Sequence, residues 1–238
     1  VDFSVLIQKK CPAFPVLIPT FNNPTYLRSM TEQLFKYNLN DLIILDNHSS
    51  TPEMLELLQS FECVVNTDGP YDYLENKNFY DWLPNYFIIT DPDIGFNKEL
   101  PNNFIEIFKE ISEKYCKFKV GFALDLDLKE ENILDLPDYH VLNGINVTAR
   151  HWESYFWMHE IGKNELGDPI YTAWLDTTFC LVNKKYLTDP CKNAVRVAGK
   201  FTSQHYGWYK NPSVPKNELE TYYKLANEKK QIWTHIKL

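Results

Sequence analysis

A chain of 238 residues with 44% hydrophobic content is long enough for one large α/β domain or two small ones, and apolar enough for a real core, which excludes disorder as the default. Its formal net charge of −8 and its lack of a basic stripe exclude nucleic acid as the expected partner, because neutralising phosphates takes clustered Lys and Arg. No run approaches the roughly 18 apolar residues of a spanning helix, and the N-terminus lacks the basic, apolar, small-residue order of a secretory signal, so the chain reads as soluble.

It starts at Val1 rather than Met, as a processed chain or a domain cut from something longer would. Cys11, Cys63, Cys116, Cys180 and Cys191 are odd in number, widely spaced and without a Cys-x-x-Cys pair. That pattern points away from a disulfide framework or a zinc site and toward a reducing compartment, with the cytoplasm as the expected location. The sequons at Asn47 and Asn146 would matter only in a secreted protein.

Residues 14–18 form a short apolar run broken by Pro15, and Pro19, Asn22, Asn23 and Pro24 follow as turn formers, so a first strand and a loop are expected. Tyr26, Leu27, Met30, Leu34 and Tyr37 then recur at helical spacing. A second strand over 42–45 ends at Asp46 and Asn47, and Thr51 with Pro52 opens a second helix as N-cap and first helical residue. Residues 63–65 read as a third, weaker strand. Strand, loop and helix in repetition predict a parallel sheet with crossover helices.

Phe87, Ile88 and Ile89 have the composition of a strand buried on both faces, and Thr90 ends it before Asp91 and Asp93. In an open parallel sheet that carboxyl edge is where ligands bind. Pro92 fixes its own φ and biases Asp91 toward an extended conformation, so both acids sit on a rigid turn. Paired carboxylates of this kind suit Mg2+ or Mn2+, which take oxygen ligands and substrate phosphates. The plain alternative is a solvated Asp-Pro-Asp turn.

Phe104 to Phe108 and Ile111 predict a helix, and alternation over 119–128 predicts a strand half exposed to water. Asp125 and Asp127 would share its wet face, a second acid pair that alternation alone accounts for. From residue 140 the chain turns aromatic. Trp152, Tyr155, Phe156 and Trp157, interleaved with Arg150, His151 and Glu153, form either core or a platform for a sugar ring. Asp176 precedes an apolar run reaching Val182, and a charged helix is expected over 218–229. No repeat or low-complexity linker intervenes, so one domain is expected over 1–238. About 1–100 would form its nucleotide-binding half and about 101–238 its acceptor half.

The segments at residues 14–22, 46–50 and 90–93 occur in the order and spacing of glycosyltransferases with the GT-A fold, and most resemble the inverting family 2. Residues 173–179 and 196–209 look like segments of a bacterial and viral glycan-synthesis branch of those enzymes. The resemblance implies a GT-A-type α/β fold, with a Rossmann-like, mostly parallel central sheet, flanking helices and a smaller acceptor-side half. It implies that Pro19, Thr20 and Asn22 edge the base and ribose pocket, with Asp46 bonding the base and Asn47 beside it. Asp91 and Asp93 correspond to the family's Asp-x-Asp, with Asp91 facing ribose or metal and Asp93 holding the ion. His205 matches a late metal ligand, and imidazole joining two carboxylates favours manganese over calcium.

The implied activity is transfer of one hexose-type sugar from a nucleoside diphosphate, UDP being the commonest, to a hydroxyl of a glycan or glycolipid, with inversion. Asp176 would be the general base and Glu153 the next candidate, the plain alternative for Asp176 being an N-cap or strand-end aspartate held by Thr177 or Thr178. A glycolipid acceptor would place the protein at the cytoplasmic face of a membrane, in peripheral contact with it. The sequence departs from the family where Asn47 replaces a second acid, and no Gln-x-x-Arg-Trp motif of processive polymerases appears, which argues for single transfer. A sugar nucleotidyltransferase would need a glycine-rich phosphate loop, and residues 19–24 hold no glycine. A carbohydrate-binding module or an inactive transferase is the other alternative.

Overall fold

The computed structural model describes residues 2–69, 71–126, 141–142, 145–147, 149–208 and 214–228. Helix α1 (Phe3–Leu6) precedes strand β1 (Val16–Thr20), helix α2 (Pro24–Lys36), β2 (Leu42–Asp46), α3 (Pro52–Leu58) and β3 (Val64–Asn66). Helices α4 (Asp72–Glu75) and α5 (Lys77–Trp82) lead to β4 (Tyr86–Ile89), β5 (Ile94–Gly95), α6 (Phe104–Tyr115) and β6 (Lys119–Phe122). The remainder holds β7 (Val141–Leu142), β8 (Ile145–Asn146), α7 (Ala149–Ser154), β9 (Glu160–Lys163), β10 (Pro169–Thr172), β11 (Cys180–Asn183), β12 (Ala194–Val197), β13 (Gln204–His205) and α8 (Lys216–Glu228).

Nine strands form one mixed sheet in the order β3-β2-β1-β4-β11-β6-β12-β10-β9. The parallel sheet expected from the sequence holds for β3, β2, β1 and β4. Beyond β4 it turns mixed: β11 runs antiparallel to both β4 and β6, β12 is parallel to β6, and the β9–β10 hairpin closes the edge antiparallel.

Strand alternation explains the three layers. Val16 and Ile18 of β1 join Leu27, Met30 and Leu34 of α2 and Phe104 and Phe108 of α6 on one face. Leu17, between them, packs on the other face with Phe3 and Leu6 of α1, Tyr73 of α4 and Phe79 of α5. Each fully buried Leu, Ile or Phe contributes about 1.5–3 kcal/mol, so both faces of the central strands must be apolar. Among the described residues no helix is long and apolar enough to cross a membrane.

The half-exposed strand expected over 119–128 is corrected: β6 ends at Phe122 and is buried throughout. The alternation misled because Lys119, a fully buried member of the strand, sends its ammonium to backbone carbonyls of Leu175 and Asp176 rather than to water. Asp125 therefore follows the strand instead of lining a wet face, and Asp127 lies outside the described residues.

Candidate metal and ligand site

The carboxyl ends of β1, β2 and β4 lie at one edge of the sheet, and β5 and β13 complete it. The chain leaves β4 with Thr90 N–H bonded to Leu17 O at 3.0 Å and Asp91 N–H bonded to Thr177 O at 2.9 Å. After Pro92 and Asp93 it enters β5, which pairs antiparallel with β13 so that His205 stands opposite Ile94. Tyr206 N–H donates to Asp93 O at 2.8 Å, and Ser203 is bonded on both sides, to Ala123 O at 2.9 Å and from Asp125 N–H at 2.8 Å. A backbone ladder thus delivers His205 to acids more than a hundred positions earlier.

Ligand atoms of Asp91, Asp93 and His205 all lie within 4.8 Å of one another. His205 Nε2 is 3.7 Å from Asp93 Oδ1, too far for a good hydrogen bond and suited to two ligands sharing an ion. His205 stacks on Trp208 at 4.7 Å, and its Nδ1 is buried without a partner. Gly207 lets the chain pass Asp93 closely, since a Cβ there would sit 2.6 Å from Asp93 Oδ2. Burial raises the Asp91 carboxyl well above the ordinary range, and the charges of Asp176 and Asp93 push it the same way. A cation would relieve that crowding, and two carboxylates with an imidazole could hold a transition ion such as Mn2+ more readily than Mg2+, which takes oxygen ligands.

Asn22 and Asp46 knit the neighbouring loops together. Asn22 adopts the left-handed region at φ 45°, its N–H donates to Ser49 Oγ at 2.8 Å, and its Oδ1 accepts from the N–H groups of Ser50 and Thr51 at 2.8 and 3.0 Å. Asp46 Oδ2 accepts from Ser49 N–H at 3.0 Å. Each keeps one buried polar atom without a partner, Asn22 Nδ2 and Asp46 Oδ1, and Thr51 Oγ1 beside them is in the same state. Buried polar atoms are normally satisfied, by protein or by water, so these three are open to a further hydrogen-bond partner. Thr20 Oγ1 donates to Asn23 Oδ1 at 2.5 Å, Asn47 N–H bonds Thr20 O at 2.9 Å, and Pro19 stands in β1 just before them.

Asp176, from the second half of the sequence, comes close to the metal acids. It is within electrostatic reach of Asp91, because the Asp91–Thr177 backbone bond pins its loop to the end of β4. Burial works to raise its carboxyl, yet the Arg196 guanidinium, the Thr178 donors and the Lys119 ammonium outweigh burial and hold it below the ordinary value. Thr178 N–H and Oγ1 donate to Asp176 Oδ1 at 3.1 and 3.0 Å.

Glu153 is locked in an ion pair with Arg196 at 2.6 Å, the two side chains 1% and 5% exposed. Arg196 Nε also donates to Trp174 O at 2.9 Å, and its guanidinium lies 4.5 Å from the Phe156 ring centre. Burial pushes Glu153 up to about 7 against the pull of Arg196. Among the described residues its carboxylate is buried and taken up by Arg196. In the aromatic segment Trp152 packs on Phe156 at 5.6 Å, and Trp157 packs on Tyr171 of β10 at 5.4 Å. Tyr155 and Trp174 stay open to water.

Sequence reasoning missed Lys119 and Arg196, although a lone charge inside an apolar strand segment, as in β12, is itself the signal of a buried partner. No protein-family model matches the chain, and no curated protein matches it.

Proposed function

We propose that the chain is a metal-dependent glycosyltransferase of the GT-A type, moving one sugar from a nucleoside diphosphate such as UDP to a hydroxyl of a glycan or glycolipid with inversion. The observation that carries the reading is the convergence at one sheet edge of the Asp91, Asp93 and His205 cluster with a further, ionised acid, Asp176. Bound there, Mn2+ or Mg2+ would neutralise charge building on the leaving diphosphate. Asn22, Asp46 and Thr51 would bond the nucleoside through their unpartnered atoms, with Pro19, Thr20 and Asn47 along the pocket.

Asp176 would take the proton of the acceptor hydroxyl as it attacks the anomeric carbon from the side opposite the diphosphate. Its carboxyl is held below the ordinary range, so at neutral pH it is in the ionised form that a general base needs. Tyr155 and Trp174 are exposed rings against which an acceptor sugar would pack.

Calorimetric titration with UDP, with and without manganese, tests the reading. Affinity should depend on the metal, and Asp93→Ala should abolish that dependence. Manganese-independent binding, or carbohydrate binding alone, would replace a transferase with a binding module. A screen of nucleotide sugars for manganese-dependent donor hydrolysis then identifies the donor.

A further inference from the structure

Tyr26 lies in the first turn of α2 and is 8% exposed, with its hydroxyl buried and meeting no partner. A hydroxyl taken from water without a replacement bond is costly, and phenylalanine would fill the same space without that cost. The ring is firmly seated. It stacks on Tyr206 with centroids 6.4 Å apart and planes 9° from parallel. Tyr206 is fixed in turn by its bond to Asp93 O, and its own ring covers Gly95 so closely that a side chain there would strike it.

Tyr206, on which the Tyr26 ring stacks, is bonded through its N–H to Asp93 O, so Tyr26 stands beside the metal cluster. Tyr223 of α8, 7% exposed, is next to Tyr26. A phenol carries an O–H donor, and that of Tyr26 has no acceptor. Among the described residues the cations that act on the acid cluster are engaged elsewhere, Lys119 on the carbonyls of Leu175 and Asp176 and Arg196 on Glu153 and Trp174 O. An anion drawn in by a bound cation would find Tyr26 as a ready donor.

We infer that Tyr26 is a binding residue whose hydroxyl donates to a phosphate oxygen of the diphosphate held by the ion at Asp91, Asp93 and His205. The inference rests on the glycosyltransferase reading and adds a diphosphate donor to it. A hydrogen bond to a charged oxygen is among the stronger kinds, so Tyr26→Phe should weaken UDP binding in saturating manganese by roughly tenfold or more. Uridine monophosphate, which lacks the second phosphate, should lose much less. Manganese alone should bind the variant as it binds the wild type, and the metal-free variant should melt at the same or a higher temperature.

Equal UDP affinity in the two proteins would overturn the assignment. So would a lower melting temperature joined to weaker manganese binding, because the hydroxyl would then be a support for Asp93. If the wild type itself binds UDP without regard to manganese, the glycosyltransferase reading falls, and this assignment falls with it.

Discussion

Asp91 and Asp176 are two acids at one edge whose surroundings push them in opposite directions. Asp91 is buried among like charges and raised, while Asp176 has Arg196, Lys119 and the Thr178 donors and is lowered. That division leaves Asp91 crowded by negative charge and Asp176 ionised, the protonation state that the proposed base role requires. Asp176→Asn keeps the shape and the Thr178 bonds but removes the proton acceptor. It should lower turnover by roughly 10² to 10⁴ while leaving nucleotide-sugar affinity intact. Near-normal turnover, or a product retaining the donor's anomeric configuration, would move the base elsewhere. The sequence made Asp176 visible as an acid before an apolar run, but its nearness to Asp91 depends on a backbone bond between distant segments that no local pattern encodes.

Elements divide in the same way. The strands β1, β2 and β4 and the helices α2 and α6 were legible because each carries its own apolar period. The two-residue strands β5 and β13 were not, since they have no period and exist only by pairing with each other. The opposite end of β4 shows how α6 is tied to the sheet. Glu113 accepts from Tyr86 Oη and Asn183 Nδ2 at 2.7 and 3.0 Å on one oxygen, and from Lys185 Nζ and Tyr186 Oη, both at 2.7 Å, on the other. Those donors, Lys185 first, hold its carboxyl down at about 2. A carboxyl depressed by folding adds stability that is present above its unfolded value, near 4.5, and is lost as pH falls toward 2. Glu113→Gln should therefore flatten the fall in melting temperature across that acid window. A variant whose acid limb matches the wild type would show that this cluster contributes nothing to the pH dependence.

At the scale of the whole molecule, the first half was readable as repeated strand, loop and helix units, whereas the second half is held by long-range contacts between residues of unremarkable local sequence. The last helix is the clearest case. Its charge pattern announced α8, and nothing in that pattern said where it would dock. Glu218 reaches α2, 193 positions away, and accepts from Thr25 N–H at 3.0 Å and Thr25 Oγ1 at 2.6 Å. It thereby satisfies a free N–H at the start of α2, which Asn23 at the cap position does not do with its side chain. A negative charge at a helix N-terminus is also favoured by the helix dipole. Tyr222 of α8 meets Phe21 at 6.1 Å, and Tyr223 stands next to Tyr26, so the same docking shapes both the loop after β1 and the edge that holds Asp93. Glu218→Ala should cost about 0.5–2 kcal/mol, the range for losing a helix cap, and should weaken manganese-coupled UDP binding in parallel. Glu218→Gln keeps an acceptor for one of the two bonds and should recover part of both. Unfolding curves and calorimetry on the three proteins decide the matter: unchanged stability in the alanine variant would mean that α8 is held by its tyrosines alone, and lost stability with intact UDP affinity would confine its role to the fold.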